Sequence, residues 1–248
     1  MPKNRVCFDS SKGAIRIIHP IFGDEEEFVL LGTLFDCRLT MQPCLDALLK
    51  VLRPKVAALM RLKHMHDIAN MLNQFKAHIW SKMEYSSSAL LLAGEVKLRK
   101  LDKLQRGFLY QLGLEDRFAF VNHNFAPPSL RRAIGMLGFL HKINLGTCHP
   151  ALRYLFPART GEANAFHSKQ FESFFQDVRC HRQLYNNSMF MYVLIYNRLP
   201  QDLVDAESVS AFQGKLTQLA KMRAQLDDGQ EWRQAFQSCG DVVAFFYA

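Results

Sequence analysis

The apolar periodicity of this chain changes once, at Pro43, and that change constrains the fold more than any other feature. Beyond it, Leu45, Leu48, Leu49, Leu52, Val56 and Leu59 recur at i, i+3, i+4 and i+7, the spacing that puts one apolar stripe along a helix. Lys50, Arg53 and Lys55 lie off that stripe, and Pro54 interrupts it. Proline lacks an N–H and clashes with the preceding turn, so a kink or a new helix is expected there. Ahead of Pro43, residues 5–8, 14–19 and 28–35 are rich in β-branched and aromatic side chains. The stretches SSKG and GDEEE separate them, which reads as short strands. So small a β segment is not stable alone, and it reads as the edge of a larger sheet.

Helical periods continue to the end of the chain. Residues 66–85 carry Ile68, Met71, Leu72, Phe75, Ile79 and Met83 on one face. Leu98, Leu101, Gln105, Phe108, Leu109 and Leu112 mark a third helix that Gly113 ends. Ala126-Pro127-Pro128-Ser129 opens a fourth, through Leu130, Ile134, Leu137, Leu140, His141 and Leu145, to Gly146. Residues 157–165, PARTGEANA, read as a linker. Helices are expected again over 166–184, over 189–196 and through Phe212, Leu216, Leu219 and Met222, the last with Ser208 as its N-cap.

The charge is not spread evenly. Residues 50–106 hold twelve Lys and Arg against Asp67, Glu84, Glu95 and Asp102, an excess of eight; the other 19 basic and 19 acidic residues cancel. The whole net charge of +8 therefore sits in one segment. Such a localised field suits a polyanion, although the same charges also suit the solvated faces of ordinary helices.

Several classes of function find no support. The six cysteines contain no C-x-x-C pair, so a zinc ribbon is not indicated. Cys148-His149 and Cys180-His181 are adjacent pairs, whose side chains diverge by about 100° on a helix. His64 and His66, at i and i+2, share no helix face. There is no G-x-S-x-G, no Walker loop and no G-x-G-x-x-G. No apolar run approaches a membrane span and no secretory leader is visible, so a nuclear or cytoplasmic location without a membrane partner is expected.

Residues 28–49, FVLLGTLFDCRLTMQPCLDALL, resemble the end of the palm and the entry to the thumb in reverse transcriptases of non-LTR (LINE-type) retrotransposons, where the pattern reads Y-L-G-x-x-x-D-x-x-L-T-W. Three further stretches are similar in the same order. SKMEYSSS (81–88) resembles S-x-x-E-Y-G, and KLDKLQRGFLYQLG (100–113) resembles L-x-x-L-Q-R-R-x-L-R-x-L-x-G. NRLPQDLVDAESVSAFQGKL (197–216) resembles W-N-x-L-P … S-x-x-x-F-x-x-x-L. NRVCFDSSK (4–12) resembles the palm element that follows the catalytic turn. Tyr196 stands where a tryptophan is usual and Ser87 where a glycine is common.

The resemblance implies a mainly α fold. A helical thumb-like bundle would carry a small N-terminal β segment left from a palm-type sheet. It implies a terminal palm-like β segment over 1–41, a helical thumb-like domain over 42–157 and a helical C-terminal region over 158–248. Its parent activity is RNA-directed DNA synthesis, which needs two metal ions held by carboxylates. No Y-x-D-D or A-D-D turn occurs here, and Asp36 reads as a turn or cap residue. The chain alone is therefore expected not to polymerise and to carry no cofactor, with Mg²⁺ required only alongside a complete palm. Lys12 corresponds to a lysine proposed to protonate the leaving pyrophosphate, although SSKG reads equally as a solvated turn. The basic helices match the work of a thumb, which holds an RNA–DNA duplex by its backbone. Lys50, Arg53, Lys55, Arg61, Lys63, Lys100, Lys103 and Arg106 are the candidate phosphate contacts. The expected partners are nucleic acid and an upstream palm segment. The alternative is a decayed reading frame that folds as a helical interaction module with no nucleic-acid role.

Overall fold

The computed structural model describes residues 5–9, 14–18, 27–36, 38–159, 166–172, 185–226, 231–238, 240 and 246. The chain is mainly α-helical with a small β part near the N-terminus. It divides into two compact units, Met1–Leu104 and Gln105–Ala248, with the division inside one continuous helix.

In the first unit, β1 (Arg5–Asp9) pairs antiparallel with β2 (Ala14–Ile18), and β3 (Glu27–Leu30) with β4 (Thr33–Asp36). The run over 28–35, expected as one strand, is thus a hairpin. Leu31 and Gly32 both take positive φ, 49° and 75°. Two such residues make the tight turn whose twist matches that of paired strands. Phe28 stacks on Phe35 across the ladder, ring centroids 5.3 Å apart. The Tyr85 hydroxyl donates to the Leu31 carbonyl at 2.8 Å, and Thr33 and Ser86 hydroxyls meet at 2.8 Å. The residues of the 81–88 motif therefore fasten a helix end to this turn.

Asp36 is buried and organises the step from strand to helix. Its carboxylate accepts from the Thr40 amide at 3.0 Å, the Thr40 hydroxyl at 2.9 Å and the Met41 amide at 2.7 Å. Those bonds hold Leu39 and Met41 at a φ of 52°, which an L side chain rarely adopts. This is the turn-and-cap role read from the sequence. Asp36→Ala leaves three donors without their acceptor, one of them on fully buried Met41. It should cost about 3 kcal/mol in urea unfolding, and an unchanged midpoint would contradict this role.

Helix α1 (Gln42–Arg61) buries Cys44, Leu45, Leu49, Leu52, Val56 and Leu59. It runs through Pro54 without a break, against expectation. Pro54 is exposed; it removes one backbone bond, while Leu52, Val56 and Leu59 stay in phase on the packed face. The second expected helix is α2 (Ile68–Phe75), a π turn (Lys76–Trp80) and α3 (Ser81–Tyr85) in succession. Asp67 caps it by accepting from the Asn70 amide at 2.7 Å. Short α4 (Ser87–Leu90) and a 3-10 turn (Leu91–Ala93) lead into α5 (Glu95–Gln111).

In the second unit, Gly113 with φ 73° ends α5, and α6 (Asp116–His123), which the sequence reading did not include, follows. Then comes α7 (Pro128–Asn144), opened by its prolines as expected and buried over most of its circumference. Among the described residues a short α8 (Ala151–Leu155), the helices Met189–Tyr196, Gln201–Val204 and Val209–Leu226, and a 3-10 turn at Glu231–Gln234 come next. Ser208 caps Val209–Leu226, its hydroxyl accepting from the Ala211 amide at 3.1 Å. Residues 166–172, expected as the start of a helix, are not helical; Phe171 bridges Ala158. The Asn197 side chain accepts from the Phe171 amide at 2.9 Å and donates to its carbonyl at 2.8 Å. It replaces the backbone partner that a helix would have supplied. The remainder of that expected helix, 173–184, lies outside the described residues.

Within the apolar core of this unit lies a polar cluster. The His141 imidazole stacks on Phe212 at 4.2 Å. One nitrogen, Nε2, meets the Ala206 carbonyl at 2.9 Å and the other, Nδ1, meets the Tyr196 hydroxyl at 3.0 Å. A carbonyl can only accept, so Nε2 carries the proton and Nδ1 accepts from tyrosine. Asn144 donates to the same tyrosine oxygen at 3.1 Å. His167 repeats the arrangement: Nε2 donates to the Tyr196 carbonyl at 2.9 Å and Nδ1 accepts from the Lys169 amide at 3.1 Å. This bonding pattern fits the neutral form of each imidazole. Burial pulls the pKa of each below the ordinary histidine value and pushes the Tyr196 phenol up.

Candidate nucleic-acid interface

A basic side chain serves a phosphate only if it is exposed, and the helical period decides which side chains are. On α1 the apolar stripe takes one face. At about 100° per residue, Lys50, Arg53 and Arg61 fall within an arc of about 80°, with Lys50 and Arg61 opposite the stripe and Arg53 at its edge. Lys55 falls on the flank. All four are exposed. Lys63 follows in the turn beyond α1 and is also exposed. At a rise of about 1.5 Å per residue, Lys50 and Arg61 stand about 16 Å apart, enough to meet several phosphates of one strand.

Helix α5 shows the same division. Leu98, Leu101, Gln105, Phe108 and Leu109 are buried, while Arg99, Lys100, Lys103 and Arg106 are exposed. Gln105 is the polar member of the buried face, and its amide donates to the Ala126 carbonyl at 3.0 Å. Lys100 and Lys103 belong to the first unit and Arg106 to the second. Lys12 lies outside the described residues.

One acidic residue enters this cationic surface, and the sequence reading passed over it. Asp46 lies one turn before Lys50 and about 60° or less from Lys50, Arg53 and Arg61 around α1. Its carboxylate is 3.3 Å from the Lys100 ammonium and accepts from the Gln42 amide at 2.6 Å. The Gln42 hydrogen bond, followed by Lys100 and Arg53, holds it below the usual carboxylate range. Asp46 thus joins α1 to α5 and cancels charge where phosphates would sit. The pair is solvent-exposed and contributes little to stability. Asp46→Asn should leave the melting temperature nearly unchanged and strengthen binding to an RNA–DNA hybrid by about fivefold at moderate salt. Unchanged or weaker binding in a fluorescence titration would count against a phosphate site here.

Metal and nucleophile chemistry find little in these residues. Among the described residues no group of three or more His, Cys, Asp or Glu side chains stands close enough to hold a metal ion. Asp36 is committed to its loop, and His64 and His66 are exposed in the turn beyond α1. An apolar groove of about 570 Å³ in the first unit is lined by Leu34, Cys44, Leu48, Val51, Tyr85 and Leu90, among others. Burial pushes the Cys44 thiol up, so it is a poor nucleophile. Among the described residues no helix is long and apolar enough to cross a membrane.

No family model matches the chain, no curated protein is significantly similar to it, and no solved structure matches it. The described residues define a mainly helical protein with a small β part, in which α1 and α5 carry exposed cations on their solvent faces.

Proposed function

We propose that this chain binds nucleic-acid duplex, in the first place an RNA–DNA hybrid, through the phosphate backbone and without reading sequence. The contacts are Lys50, Arg53, Lys55, Arg61, Lys63, Lys100, Lys103 and Arg106. One observation carries the reading: the segment that holds the whole net charge directs these eight side chains to solvent. They are long cations, suited to phosphates and carrying no sequence code of their own. The ordered resemblance to the palm end, thumb and C-terminal region of LINE-type reverse transcriptases supports the same ligand. DNA synthesis would require metal-binding carboxylates from a palm segment beyond this chain, together with Mg²⁺. Asp36, committed to its loop, supplies no such carboxylate.

Sequence independence is testable directly. Two RNA–DNA hybrids of equal length and unrelated sequence should bind with equal affinity, within about twofold. A preference above tenfold for one of them would show base readout and overturn the backbone-only reading. Absence of binding to both at low salt would leave the helical interaction module in its place.

A further inference from the structure

The exposed face of α5 carries more than charge. Tyr110 projects from it with 85% of its surface exposed. At about 100° per residue, its direction lies between those of Lys103 and Arg106 and close to that of Arg99. Among the described residues no side-chain hydrogen bond, ion pair or ring contact engages Tyr110, Arg99, Lys103 or Arg106. These residues belong to one helix, so the helical period alone fixes their spacing.

Gly107 lies on the same face, four residues after Lys103 and three before Tyr110. A Cβ built there meets nothing within 4 Å. Glycine in a helix interior is less favourable than alanine by close to the largest margin of any residue but proline, and among the described residues no packing requires it here. Its effect is a notch in the cationic stripe, one side chain deep, beside an exposed aromatic ring.

We propose that this face of α5 is a docking site for unpaired nucleotides beside a duplex. Phosphates lie on Lys103, Arg106 and Arg99, the sugar sits in the notch at Gly107, and one base stacks on the Tyr110 ring. Aromatic rings accept any base because every base has a π face, and cations on either side of the ring track the backbone. The proposal rests on the nucleic-acid reading above and narrows its ligand from a continuous duplex to a duplex carrying a single-stranded overhang.

The test uses the full chain, a fluorescent blunt RNA–DNA hybrid, and the same hybrid with a six-nucleotide overhang. Circular dichroism confirms that each variant folds. The overhang should bind about tenfold more tightly than the blunt hybrid, beyond what its added charge gives to a six-residue polyphosphate competitor. Tyr110→Ala should erase that difference, leaving blunt-hybrid affinity unchanged, while Tyr110→Phe keeps it. Gly107→Ala should raise the melting temperature by about 2 °C and weaken overhang binding alone. Blunt binding with no overhang preference, or a preference that survives Tyr110→Ala, overturns this proposal and leaves the duplex reading standing. Failure of both probes to bind overturns both readings.

Discussion

Changing Lys50, Arg53, Arg61 and Lys103 together to glutamine should weaken binding of an RNA–DNA hybrid about a thousandfold at 0.1 M salt. Each phosphate neutralised by a cation releases close to one condensed counterion, and at this salt that release is worth nearly tenfold in affinity. Four lost contacts multiply to roughly three to four decades, and the slope of log affinity against log salt should become shallower by about four. The fold should tolerate the change, because all four side chains are exposed and none is needed to fill the core. Glutamine also keeps the helix propensity close to that of lysine and arginine. Asp46→Asn is the complementary variant, because it removes the carboxylate that competes with phosphate on this surface. If the fourfold variant binds as tightly as the parent, these faces of α1 and α5 do not contact the ligand.

The second large effect concerns stability. His141 is fully buried, stacked on Phe212, and bonded at both nitrogens. His141→Ala opens a cavity and strands the Ala206 carbonyl and one bond of the Tyr196 hydroxyl, which should cost about 4 kcal/mol. The same cluster sets a pH dependence. Desolvation, the largest cause, lowers the pKa of both His141 and His167 in the folded state below their ordinary 6.5. Lys169 lowers both further, whereas the backbone carbonyls and, for His167, Asp205 oppose the shift. As pH falls through 6.5 the unfolded chain takes up protons before the folded one. The stability contributed by the neutral rings is therefore complete above about 6.5 and is lost as pH falls toward the folded values. The slope can reach about 1.4 kcal/mol per pH unit for each ring. Urea unfolding at pH 7.5 and 5.5 measures it, and His141→Gln should reduce the slope by about one proton. Equal stability at both pH values would contradict the assignment of neutral, doubly bonded imidazoles.

The parts of this fold that depend on neighbours in sequence were legible before the structure. The stripe of Leu45, Leu49, Leu52, Val56 and Leu59 defines α1. Because Lys50, Arg53 and Arg61 lie off it, their exposure followed from the period alone. Asp36 was readable as a cap because its ligands, Thr40 and Met41, lie within five residues. The β3–β4 hairpin was harder, because Leu31-Gly32 lacks the Asn-Gly or Asp-Gly signature and requires leucine at positive φ. Pro54 misled because tertiary packing of α1 outweighed the lost backbone bond. Long-range partners left no local trace. His141 appeared only as a member of an apolar stripe, since Tyr196 and Ala206 lie 55 and 65 residues away. Asn197 appeared only as a motif residue, although it clamps Phe171 from 26 residues away. Asp46 likewise has its ion-pair partner, Lys100, 54 residues away.

Titration of the full chain with a fluorescent RNA–DNA hybrid between 50 and 200 mM salt tests the central claim most directly. With five to eight phosphates neutralised, log affinity should fall against log salt with a slope between about −4 and −7. A slope near zero, or no binding at 50 mM salt, would contradict a phosphate-binding role for α1 and α5.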